Sequence, residues 1–176
     1  MVARALRHGK TSGMLPKADS YSALASEFRW QVPDRYNIGV DACDRWAARE
    51  PNRIALTFVG PDNQPRDYSY GELRDCSNRL ANLFQELGVA RGDRVAVLLP
   101  QAPETAIAHI AAYKLGAIAV PLFALFGPEA LQYRLANSGA KAAITNKDGA
   151  AFRSKPVAGG DKGLMMMRQI TGAGCA

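Results

Sequence analysis

Between Ser69 and Thr145 the sequence alternates short, uncharged apolar runs with longer amphipathic stretches, and this alternation constrains the fold more than any other feature. Ser69-Tyr70-Gly71-Glu72 has the S-x-x-E spacing of a capping box and predicts a helix start there. The helix carries Leu73, Cys76, Leu80, Leu83 and Leu87 as an inward stripe, with Gly88 as its stop. Arg94 to Leu99 then reads as a continuous apolar strand. Pro103 opens a helix with Ile107, Ile110, Ala111 and Leu115 inward, ended by Gly116. A second strand is predicted from Ala117 to Leu122, a helix from Gly127-Pro128-Glu129 with Leu131 and Leu135 inward, and a third strand from Ala142 to Thr145. Apolar strands separated by amphipathic helices imply right-handed crossovers and a mostly parallel sheet covered on both faces, so the fold class is α/β.

Ahead of this unit, Asn37 is placed to cap a helix with Val40, Cys43 and Ala47 inward, which Pro51 halts. Ile54 to Val59 reads as a strand. The turn residues Gly60-Pro61-Asp62-Asn63 and the segment Arg66-Asp67-Tyr68-Ser69 complete a β-hairpin. The chain is expected to comprise a basic, disordered leader over residues 1–27, an ordered body over 28–150 and an irregular, non-native tail over 151–176. In the tail Pro156, Gly159, Gly160, Gly163, Gly172 and Gly174 break any period, and Met165 to Met167 stand in a row.

Charge narrows the function classes. The net charge of +6 sits at the two ends: Arg4, Arg7, Lys10 and Lys17 without an acid, and Arg153, Lys155, Lys162 and Arg168 against Asp161. The body between them is close to neutral and has no basic face with interleaved aromatics, so nucleic acid is not expected as a partner. Three widely spaced cysteines, Cys43, Cys76 and Cys175, indicate neither a disulfide framework nor a zinc site. No run of 18 apolar residues and no apolar signal segment occurs, so no membrane span is expected and the localisation reads as cytoplasmic.

Several phrases resemble the acyl-adenylate-forming superfamily of AMP-dependent synthetases and ligases over roughly residues 28 to 150. Tyr68-Ser69-Tyr70-Gly71-Glu72-Leu73 is similar to its first signature, and Gly88-Val89-Ala90-Arg91-Gly92-Asp93-Arg94-Val95 to the loop and strand that follow. Tyr113-Lys114-Leu115-Gly116-Ala117-Ile118-Ala119-Val120-Pro121-Leu122 resembles the second signature. Phe28-Arg29-Trp30-Gln31-Val32-Pro33-Asp34-Arg35-Tyr36-Asn37 resembles the lead-in of acetyl-CoA-synthetase-like short- and medium-chain acyl-CoA synthetases.

The resemblance implies the N-terminal fragment of an enzyme that uses ATP with Mg2+ to convert a carboxylic acid to an acyl-adenylate and pyrophosphate, then passes the acyl group to CoA. It also implies a partial N-terminal subdomain of that enzyme's fold. In such enzymes the turn after the second signature lines the channel for the pantetheine arm of CoA, which places Phe123, Ala124 and Leu125 there. Base rates of burial make Phe123 and Leu125 core residues instead. Arg153 lies near where related enzymes set arginines against the CoA phosphates.

The groups that grip triphosphate in this family come from a T-S-G-T-T-G-x-P-K-G loop, acids in Y-G-x-T-E and T-G-D motifs, and a distant lysine. None can be placed on these residues, so no catalytic or metal-binding residue is assigned and the fragment by itself is expected to be inactive and to bind none of the cofactors. Thr11-Ser12-Gly13 with Pro16-Lys17 copies parts of the loop, but lacks its middle and lies upstream of the scaffold. His109, alone on an apolar helix, reads as structural, and Arg91-Gly92-Asp93 as a turn into a strand. An unrelated nucleotide-binding α/β protein fits less well, because no phosphate loop follows any strand. A non-catalytic interaction module remains the alternative, and a cut-off sheet leaves an edge through which self-association is expected.

Overall fold

The computed structural model describes residues 15, 17–30, 33–123, 125–146 and 165–166. The first fourteen residues, Ala124 and Arg153 lie outside them. The chain divides into two units, Met1–Arg35 and Tyr36–Ala176. In the first, Ser20 caps a short helix α1 (Tyr21–Glu27) by accepting from the Ala23 N–H at 3.2 Å, and no residue of α1 is buried.

The second unit begins where Asn37 caps a helical segment, its Oδ1 accepting from the Val40 N–H at 3.1 Å. Residues Val40–Asp44 form a π-helical turn that runs into α2 (Arg45–Arg49). Cys43 and Ala47 are buried as the spacing predicts, but Val40 is 47% exposed. The wider π turn advances the chain less per residue than an α-helix, which carries Val40 off the face that its spacing assigns it.

The hairpin forms as predicted, with β1 (Ile54–Val59) antiparallel to β2 (Pro65–Ser69). The capping box at the head of α3 (Tyr70–Glu86) is complete: Ser69 Oγ accepts from the Glu72 N–H at 3.2 Å, and Glu72 Oε2 accepts from the Ser69 N–H at 2.6 Å. The buried stripe departs from the predicted one after Leu80. Phe84 is fully buried while Leu83 and Leu87 are only half-buried, because α3 packs under both α4 and the sheet and its contact face is wider than a heptad seam.

Three parallel strands follow: β3 (Arg94–Leu98), β4 (Ile118–Pro121) and β5 (Ala142–Thr145), with α4 (Pro103–Lys114) and α5 (Pro128–Ser138) between them. The strand order is β4-β3-β5-β6, where β6 is the two-residue segment Met165–Met166 parallel to β5. Because β4 lies on one side of β3 and β5 on the other, right-handed crossovers put α4 and α5 on opposite faces. The core follows the two-residue period of the strands. Val95, Val97, Ala142 and Ile144 pack with α3 and α4 residues such as Phe84 and Ala111, while Ala96, Leu98 and Ala143 pack with Leu131 of α5. This two-faced burial explains why the strands read as continuous apolar runs instead of alternating ones. Ile110 and Leu135, predicted inward, are half-buried at the margins of these layers.

Candidate functional site

In an open α/β sheet the crevice that accepts ligands lies outside the carboxyl ends of strands whose following helices lie on opposite faces. Here those are β3, which leads through residues 99–102 to α4, and β4, which leads through residues 122–127 to α5. The sequence-predicted turn falls at this crevice. Leu122 is buried and its N–H donates to the Val97 carbonyl at 2.9 Å, which anchors the turn to β3.

Beyond Leu122 the chain turns outward. Phe123 is 63% and Leu125 85% exposed, so neither fills the core, in contrast to the base-rate expectation. A tight turn holds them out: the Phe126 N–H donates to the Phe123 carbonyl at 3.1 Å, and Gly127 and Pro128 start α5 at once. The Phe123 and Phe126 rings lie 6.2 Å apart, and the Arg134 guanidinium sits 4.2 Å over the Phe126 ring. The result is an apolar, aromatic lip on the carboxyl side of the sheet.

Opposite this lip, Thr145 ends β5 in register with Leu98, and its residue parity sets it on the α5 face. It is 8% exposed, and its Oγ1 is buried without a hydrogen-bond partner. Nothing local in the sequence marks this hydroxyl, since a threonine closing an apolar strand is ordinary until the surrounding helices bury it.

The charged residues of the two signature-like phrases serve joints in the scaffold. Glu72 has its carboxyl held below the ordinary range, first by the Ser69 N–H and then by the Ser69 hydroxyl. Asp93 is likewise lowered, first by Lys141, whose ammonium lies 2.9 Å away, and then by the Ala90 N–H. Arg94 reaches across to the end of α5, its Nε donating to the Ser138 carbonyl and its Nη2 to the Gly139 carbonyl, both at 2.8 Å. Arg91-Gly92-Asp93 is a turn entering β3, with Gly92 at φ +83. Lys114 is buried against Asp44 at 2.6 Å. His109 Nδ1 contacts the Thr105 carbonyl of its own helix at 2.8 Å, the structural role its isolation implies.

Burial raises the pKa of the Cys43 thiol, which is free. Among the described residues no three His, Cys, Asp or Glu side chains are grouped to hold a metal ion, and no helix is long and apolar enough to cross a membrane.

Comparison with known proteins agrees with this geometry. Residues 43–169 match the family described as "AMP-binding enzyme". The acetyl-coenzyme A synthetase of Campylobacter jejuni is 37% identical over 129 residues, which is 73% of this chain and 20% of that protein. The acetyl-coenzyme A synthetase of Escherichia coli K12 is 33% identical over 143 residues, 80% of this chain and 22% of that protein. Among solved structures, an acyl-CoA synthetase of Brucella canis superposes with a TM-score of 0.73 at 30% identity, covering 85% of this chain and 28% of the other. The chain thus spans about a fifth of the length of the curated relatives it matches. With the family match extending over most of its residues and a shared α/β scaffold beneath it, this chain belongs to the AMP-binding enzyme family.

Proposed function

We propose that the chain corresponds to the opening part of an ATP-dependent acyl-CoA synthetase, a ligase that joins a carboxylic acid to CoA through an acyl-adenylate, as in fatty acid metabolism, with release of AMP and pyrophosphate. The observation that carries this reading is the use made of the two signatures: Glu72 is spent on a helix cap and Lys114 on a buried ion pair, so these residues supply scaffold and leave the chemistry to other parts of the enzyme. Phe123, Ala124 and Leu125 are the segment that lines the path of the pantetheine arm of CoA. The outward setting of Phe123 and Leu125 supports this, since a core role would bury them.

ATP, Mg2+ and CoA are the cofactors of the whole enzyme, and this chain alone binds none of them productively. The assay is carboxylate-dependent exchange of pyrophosphate into ATP by the purified chain, offered acetate and longer acids. The expected result is no exchange above background. Exchange that depends on the acid overturns the reading.

The body is residues 28–150, between the leader and the tail, in a cytoplasmic protein that engages no nucleic acid. Limited proteolysis locates these boundaries. A resistant core extending past residue 150 moves the far boundary outward, the direction in which the family match to residue 169 leans.

A second reading, a non-catalytic interaction module, is favoured by one observation: both faces of the parallel sheet are already covered within the chain, with Val95, Ala96 and Ala142 fully buried. A cooperative thermal transition in a well-behaved sample supports it over a fragment that cannot fold. In either case, an open strand edge is the route to self-association.

A further inference from the structure

The strand edges of this chain are not equivalent. On β4 the N–H groups of Ile118 and Leu122 donate toward β3, to the carbonyls of Asp93 and Val97. Alternation then turns the backbone of residues 119 and 121 toward the open side, and residue 121 is a proline with no N–H to offer. The β4 edge is therefore blunted. On β2 the outer strand carries Pro65, Arg66 and Asp67, a charged and proline-bearing edge that resists pairing.

The strand β1 lacks the proline and charges that blunt the other two, and its one irregularity is a bulge between Ile54 and Leu56 at its start. Ile54-Ala55-Leu56-Thr57-Phe58-Val59 contains no charge, proline or glycine, and it belongs to a two-stranded sheet in which β2 covers only one side among the described residues. Ile54 and Val59 are 55% and 53% exposed. A six-residue run with this β-propensity and no charge is the signature of a strand that pairs with its own kind.

We propose that the open side of β1 is a self-recognition edge, where a second copy of this chain adds its own β1 antiparallel across a two-fold axis to give a four-stranded sheet β2-β1-β1-β2. The proposal rests on the self-association reading above and names its surface. A two-fold arrangement is isologous, so one edge serves both partners. It also sets the Arg53 end of one strand beside the Asp62 end of the other, opposite charges that favour this direction of pairing over the parallel one. Each of these charges has an exposed partner in its own chain, Glu50 and Arg66, so they steer the pairing more than they strengthen it. Six residues per strand bury much less than the roughly 1,600 Å² of a standard interface, so the association is weak and concentration-dependent.

Sedimentation of the full chain over about a hundredfold range of concentration tests this. The expected result is a monomer–dimer equilibrium that the pair Ile54→Lys and Val59→Lys weakens by at least about tenfold, through like-charge repulsion, with the thermal transition kept. Should that double variant not fold, single cysteines decide. Thr57→Cys is expected to give oxidised dimers beyond the wild-type level, whereas Asp67→Cys on β2 and Ala119→Cys on β4 are not. Dimers that form through position 119 or 67, or that ignore the lysines in a folded double variant, overturn the β1 assignment and leave self-association intact. A chain that stays monomeric throughout overturns both. None of these outcomes bears on the pyrophosphate-exchange assay, which tests the synthetase reading separately.

Discussion

The Lys114 ammonium lies 2.6 Å from Asp44 Oδ1 and 2.6 Å from Asn78 Oδ1, with the Arg74 carbonyl at 3.3 Å, so one buried cation ties the π-helical turn to α3 and α4. The same residue is held through its backbone, because the Lys114 carbonyl accepts from Asn37 Nδ2 at 2.9 Å. The lysine side chain is 8% exposed and that of Asp44 27%, so water screens the pair poorly.

Removing the cation strands its partners. Lys114→Met is expected to cost about 3 kcal/mol in chemical denaturation, and a double-mutant cycle with Asp44→Asn should show clear coupling. Gly39→Ala tests the same joint from the other side. A Cβ at Gly39 meets Lys114 Cγ at 2.7 Å and the backbone of Ile110 and Lys114 at 2.9 Å. Although alanine is ordinarily the better helix former, this substitution is expected to cost about 1–3 kcal/mol.

The capping box gives a pH dependence of known sign. The Glu72 carboxyl is lowered in the folded state, so its contribution is complete above the ordinary glutamate range and is lost as the pH falls through the folded value. Stability from this group is therefore constant near pH 7 and fades below about pH 4.5. Ser69→Ala is expected to cost about 1 kcal/mol at neutral pH, and Glu72→Gln to flatten the acid limb of a stability–pH curve. An unchanged acid limb in Glu72→Gln would count against the assignment.

At the far end of α5, Arg94 caps the helix through two carbonyls that no N–H four residues further on serves. Lysine keeps the charge but loses the fork, so Arg94→Lys is expected to destabilise by about 1–2 kcal/mol. Gly139 has φ +58, and a Cβ there would stand 2.9 Å from Arg94 Nη2. Gly139→Ala is expected to cost about 1 kcal/mol from the backbone alone, measured by thermal or urea unfolding.

The buried Thr145 hydroxyl runs the other way. Its Oγ1 has no partner, so the folded state bears the cost of desolvating it. Thr145→Val keeps the shape and removes that cost, and the variant is expected to gain about 1 kcal/mol in unfolding measurements. A loss of stability instead would show that the hydroxyl has a partner.

How much could be read in advance depends on the range of each interaction. The capping box at Ser69 and Glu72, the Asn37 cap, the stop at Gly88 and the paired strands of the hairpin are set by residues within a few positions of each other, and each appears where the spacing places it. The position of Phe123 in the turn after β4 was legible too, but its exposure was not. An aromatic residue after an apolar strand carries no mark of whether the next turn will fold it inward.

What the sequence by itself determined is the order and type of elements between Asn37 and Thr145, because caps, turn residues and apolar periods act locally and need no knowledge of the neighbours. Only the tertiary structure decided that β3 lies between β4 and β5 and that Lys114 and Asp44 meet across 70 positions. Those outcomes come from which faces are buried together, a property of the assembled layers that no single segment encodes.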